Sequence, residues 1–128
     1  MGQSVIGDKS LAFAKRISRC YVFLKEKKSE TVMSKQLLRS GTSIGANVRE
    51  GQYAQSKKDF ISKMNIALKE AGETDYWLEV IHSSTYLSDE EFASLDADNK
   101  ELLKMLASIV KTSKESIKKE EEKRKSNF

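Results

Sequence analysis

Proline is absent from these 128 residues, cysteine and histidine occur once each, and no apolar run reaches membrane-spanning length. Each absence excludes something. Strand-and-turn proteins normally use proline, whereas long uninterrupted helices need none. A lone Cys20 rules out an internal disulfide framework and a cysteine-built zinc site within one chain, and it suits a reducing, cytoplasmic setting. Crossing a bilayer takes about 20 consecutive apolar residues, so no membrane partner is expected. Met1 to Lys9 lacks the basic-then-apolar layout of a signal peptide.

The chemistry of a catalytic site is equally thin. Glu79 and His82 form a Glu-x-x-His pair of the kind that ligates metal in di-iron bundles. Those sites need a second such pair and two further glutamates, and this chain has no second histidine. Gly41 to Asn47 is rich in small residues but lacks the Gly-Lys-Ser/Thr ending and the preceding strand of a phosphate loop. No nucleophile elbow joins a serine to a histidine and an acid. The sequence therefore predicts a protein that is not an enzyme, with no metal, no cofactor and no small-molecule substrate.

What is present is helical periodicity and charge. Residues 1–69 carry fourteen Lys/Arg against five Asp/Glu, net +9, and residues 70–104 carry two against ten, net −8. Residues 105–128 carry seven against four, net +3, so an overall charge of +4 conceals a polarised chain. A first helix is predicted from about Asp8 to Lys28, with Phe13, Ala14, Ile17, Cys20, Tyr21 and Leu24 on its apolar arc. Ser29 is the expected N-cap of a second helix, Glu30 to about Tyr53, with Leu37, Ile44 and Val48 as its stripe and Met33 and Leu38 beside it. Its centre, Ser40 to Ala46, is made of poor helix formers that only packing would hold in place.

Ser56 with Asp59 opens a third helix, about Lys57 to Ser84, on which Phe60, Met64, Ala67, Ala71, Thr74, Leu78 and Ile81 keep a three-four spacing. Ser88 with Glu91 opens a fourth, from Asp89 past Val110, with Phe92, Leu95, Leu102, Leu106 and Ile109 on its seam and Asn99 its one polar member. Short connections make neighbours antiparallel. The expected fold is all-α: an antiparallel up-down four-helix bundle over residues 1–113, followed by a charged tail over 114–128 that is a frayed helix or disordered.

Two surface constellations stand out. Lys9, Lys15, Arg16, Arg19 and Lys27 share the outer arc of the first helix and form the candidate nucleic-acid-binding face. Phe23 lies within that arc and is a candidate subunit-interface anchor or base-stacking residue; otherwise the arc is an ordinary solvated face. The acids Glu70, Glu73 and Asp75 on the third helix are candidate partners for Arg39, Arg49, Ser43 and Asn47 on the second. With Glu50, the set Arg39, Ser43, Asn47, Glu70 and Glu73 forms a structural polar network rather than a catalytic carboxylate pair.

The run Lys35-Gln36-Leu37-Leu38-Arg39-Ser40-Gly41-Thr42-Ser43-Ile44-Gly45-Ala46-Asn47-Val48-Arg49-Glu50-Gly51, taken with Asp59 to Glu70 and Glu73 to Leu78, resembles the bacterial four-helix bundle proteins encoded in intervening sequences of 23S ribosomal RNA genes. That family is itself similar to the accessory proteins of diversity-generating retroelements. The resemblance spans about residues 8–113, with matches at Arg39, Ser40, Ser43, Asn47, Glu50, Gly51, Glu70 and Glu73. It implies that the small-residue stretch is helical and that the chain forms a ring-shaped homopentamer. It also implies nucleic-acid binding, RNA or DNA, in some members and no enzymatic activity. A protein-interaction scaffold with no nucleic-acid ligand is the alternative.

Overall fold

A computed structural model describes residues 4–126; the outermost residues of the expected bundle (1–3) and of the expected tail (127–128) lie outside it. Four helices follow one another: α1 (Val5–Lys28), α2 (Val32–Gln52), α3 (Lys57–Ser83) and α4 (Asp89–Ser126). The connections, 29–31, 53–56 and 84–88, are too short for anything but antiparallel neighbours. Each helix packs on the next, and α4 returns to α1 through the thinnest of the four helix interfaces. The result is an up-down four-helix bundle.

The local signals explain most of the boundaries. The Ser4 hydroxyl caps α1 by accepting the Gly7 N–H at 2.8 Å. The Ser56 hydroxyl does the same for α3 by accepting the Asp59 N–H at 3.1 Å. Ser88 and Glu91 form a reciprocal box: the Glu91 carboxylate accepts the Ser88 N–H at 2.8 Å and the Ser88 hydroxyl accepts the Glu91 N–H at 3.0 Å. At the end of α3 the N–H of Tyr86 reaches the Ile81 carbonyl and that of Thr85 the His82 carbonyl, with Thr85 in the left-handed region at φ 67°. That is a Schellman end with a β-branched residue where glycine is usual.

The expected cap of the second helix is corrected. Ser29 does not open α2; it closes α1 in a left-handed conformation, φ 54° and ψ 31°, with its N–H directed to the Leu24 carbonyl. Helix α2 begins at Val32, and its cap is Glu30. That carboxylate accepts the N–H groups of Val32, Met33 and Ser34 at 2.9, 3.0 and 2.8 Å. Burial pushes the Glu30 carboxyl up, but the hydrogen bonds from Met33, Ser34 and Val32 outweigh it and hold the group below the usual carboxylate range.

The core is built from Phe13, Ile17 and Leu24 of α1, Leu37, Ile44 and Val48 of α2, Met64, Leu78 and Ile81 of α3, and Leu102 and Leu106 of α4, all but closed to solvent. The small residues of α2 are where α1 comes closest. A Cβ placed on Gly41 would stand 2.9 Å from two Ile17 carbons, and one on Gly45 would stand 3.2 Å from the Ser10 carbonyl oxygen. Packing therefore overrides the poor propensity of this stretch. Between α2 and α3 the hydroxyls of Ser40 and Thr74 meet at 3.0 Å inside the core, and Thr74 donates to the Glu70 carbonyl. Asn99 is fully buried. Its amide donates to the Ala71 carbonyl at 3.0 Å, while its Oδ1 has no hydrogen-bond partner among the described residues.

Helix α4 is 38 residues long, against 27 for α3. After Val110 it contributes no buried residue, although Ser113, Ser116 and Ile117 stay half-buried. Lys57 at the start of α3 bonds Ser116 and pairs with Glu120, tying this part of α4 to the bundle. No helix is long and apolar enough to cross a membrane among the described residues.

Candidate nucleic-acid interface

The five cations of α1 are separated by the fold into two groups. Lys9 and Arg16 turn onto α4. Lys9 pairs with Glu101 at 3.2 Å. The Arg16 guanidinium gathers three oxygens: the Asp98 carboxylate at 2.6 Å, the Ser94 hydroxyl at 2.8 Å and the Ser94 carbonyl at 3.3 Å. Lys15, Arg19 and Lys27 are exposed and enter no ion pair among the described residues. Phe23 is half-buried against the core, with the Lys28 ammonium 6.0 Å from its ring centre.

Cys20 lies on the same seam, half-buried against the core. Burial first, and then the nearby Glu91, push its thiol up to about 11, against a smaller opposing pull from Arg16. A thiol that stays protonated at neutral pH is a poor nucleophile and a poor metal ligand.

On the opposite side of α2, Arg39 reaches both Glu70 at 3.3 Å and Glu73 at 2.5 Å. The Trp77 indole also donates to Glu73, at 3.0 Å. The Arg39 guanidinium, and after it the Trp77 N–H, hold the Glu73 carboxyl below its usual range. Ser43 and Asn47 do not join these charges: the Ser43 hydroxyl donates to the Arg39 carbonyl and the Asn47 amide to the Ser43 carbonyl, both within their own helix. Glu50 pairs with Lys63 at 3.3 Å. Asp75, read from the sequence as a partner of α2, faces α4 instead and shares Lys100 with Asp96, at 2.6 and 2.9 Å. On a helix, residues 73 and 75 lie about 200° apart, so the two acids cannot serve one neighbour. Trp77 and Lys63 were not among the sequence candidates. The four-residue step from Glu73 to Trp77 was the available signal for the first.

His82 is committed to the α3–α4 turn. It stacks on Phe92 with ring centres 4.2 Å apart and meets Asp89 at 2.7 Å. No three His, Cys, Asp or Glu side chains converge as a metal site among the described residues.

A groove of about 650 Å³ runs between α1 and α2. Its floor is made of Gly7, Ala14, Gly45 and Ala46, and Leu11 and Tyr53 stand at its edge, 39% and 82% exposed. The charges around it are Asp8, Arg49 and Glu50. The groove is not basic; the cations lie on the outer and α4-facing arcs of α1.

The architecture is thus an antiparallel four-helix bundle with a basic first helix and carboxylates on the facing last helix. Within that class, the family model described as the 23S rRNA-intervening sequence protein matches residues 3–108, and the chain belongs to that family. A crystal structure of a protein of unknown function from the S23 ribosomal protein family of Bacteroides thetaiotaomicron VPI-5482 is similar to it. The two are 56% identical with a TM-score of 0.82, over 84% of this chain and 99% of that one. No curated protein matches the chain.

Proposed function

We propose that this chain is a cytoplasmic, non-enzymatic homo-oligomer, a pentamer as its family resemblance implies, that binds RNA through the basic face of α1. The observation that carries the reading is the exposure of Lys15, Arg19 and Lys27 without ion-pair partners among the described residues. Unpaired cations on one helix face attract a phosphate backbone and release its counterions on contact. Repeating that face around a ring would multiply weak contacts by avidity. The family's association with 23S rRNA intervening sequences makes RNA the first polyanion to try.

The test is fluorescence anisotropy of a labelled structured RNA across a salt series. Wild type is expected to bind with an affinity that falls steeply as salt rises. Changing Lys15, Arg19 and Lys27 together to glutamine should flatten the log–log slope by roughly 0.7–0.9 for each phosphate that is no longer neutralised. Absence of binding even at low salt would sink the RNA reading. The second reading, a protein-interaction scaffold, draws on the exposed Leu11, Val22 and Tyr53. It would then take precedence.

A further inference from the structure

Two of the five cations on the α1 face already hold carboxylates, and those carboxylates come from the acidic segment, residues 70–104. Asp98 and Glu101 lie one turn apart on α4, each facing a cation of α1 across the thinnest helix interface of the bundle. The Arg16 guanidinium holds Asp98 through one nitrogen and one carboxylate oxygen, at 2.6 Å, while its other contacts are the neutral Ser94 hydroxyl and carbonyl, so the two-pronged grip that a phosphate would take is not used on the carboxylate. Both ion pairs are substantially open to water, with the four side chains between 34% and 52% exposed. Exposed pairs of this kind are worth little, so an incoming anion can replace the carboxylate without disturbing the core.

We propose that Asp98 and Glu101 are built-in phosphate stand-ins, which mask Arg16 and Lys9 and so limit the affinity of the α1 face for a phosphodiester polyanion. The inference rests on the RNA reading above and adds a regulatory element to the same face. RNA first meets Lys15, Arg19 and Lys27, and Arg16 and Lys9 then exchange α4 carboxylates for backbone phosphates. The exchange releases fewer counterions than binding to free cations would. Wild-type binding therefore weakens less steeply with salt than five cations would predict.

The experiment uses the full chain and the same labelled RNA hairpin. The variant D98N/E101Q removes the two masking charges. The charge-matched control E79Q/E90Q removes two exposed carboxylates that enter no ion pair among the described residues. D98N/E101Q is expected to bind about tenfold tighter than wild type at low salt, with a slope steeper by about one to two phosphates, whereas the control tightens only about twofold with the slope unchanged. Adding R16Q to D98N/E101Q should abolish most of the gain. Where the double variant melts too early to assay, E101Q alone, which frees Lys9, should give about a threefold gain.

If wild type binds with a salt-dependent affinity while D98N/E101Q merely tracks its control, the masking inference is overturned and the RNA reading stands. If wild type and every variant fail to bind, both fall. If only D98N/E101Q binds, the unaltered chain is not an RNA binder, and the RNA reading and the masking inference that rests on it both fall.

Discussion

Glu30 shows how one side chain can replace the cap that its neighbours lack. Thr31, the residue before α2, makes no side-chain cap hydrogen bond, so the free N–H groups of the first turn fall to the Glu30 carboxylate. Because the folded-state pKa is lowered, the contribution is fully present above the unfolded carboxylate value of about 4.3 and is lost as pH falls through the folded value. Glu30→Gln should therefore lower stability by about 0.5–2 kcal/mol at pH 7, the usual range for losing a cap. The gap from wild type should close as pH drops below about 4. Urea denaturation at several pH values measures this, and a gap independent of pH would contradict the assignment. Cap preference pointed to Ser29 over Glu30, and the structure reverses that choice. Either supplies an oxygen, and the choice turned on which residue took the left-handed conformation at the end of α1.

At the scale of an element, α2 sets propensity against packing. Gly41 lies under Ile17, and an added Cβ would stand 2.9 Å from two of its carbons. Gly72 on α3 has open space at the same position. Gly72→Ala should raise stability by about 0.5–1 kcal/mol, because only the helix propensity of alanine acts there. Gly41→Ala gains the same propensity but forces Ile17 aside, at about 1–3 kcal/mol, and should come out destabilising. Thermal or urea melts of the two variants give the comparison, and a stabilised Gly41→Ala would mean that α1 and α2 are not held this closely. The four helices and the capping pairs Ser56–Asp59 and Ser88–Glu91 were legible in the sequence because they depend on residues three or four apart. The same locality made the apolar stripes readable, down to Asn99 as the one polar residue in the seam of α4.

For the whole molecule, the polarity of charge along the chain becomes a contact in space. The cationic first helix and the anionic start of the fourth are neighbours, so part of the charge that looked available for a ligand is neutralised within the fold. Self-association belongs to this scale as well. Light scattering on the purified chain is expected to give the mass of five 14.5 kDa chains. The mass of a single chain would sink the pentamer and leave any RNA contact to one α1 face, with no avidity to strengthen it.

Residue order alone was enough to specify the helical class, the antiparallel order, the core stripes and the family, because all of these follow from short-range spacing, short connections and two local runs. Which charges are free was settled only when the helices packed. Lys9 and Arg16 meet partners 92 and 82 residues away, and Asp75 turns to Lys100 and not to α2. Ion pairing depends on which faces the bundle brings together, and helical periodicity places a charge on a face without saying what stands opposite it.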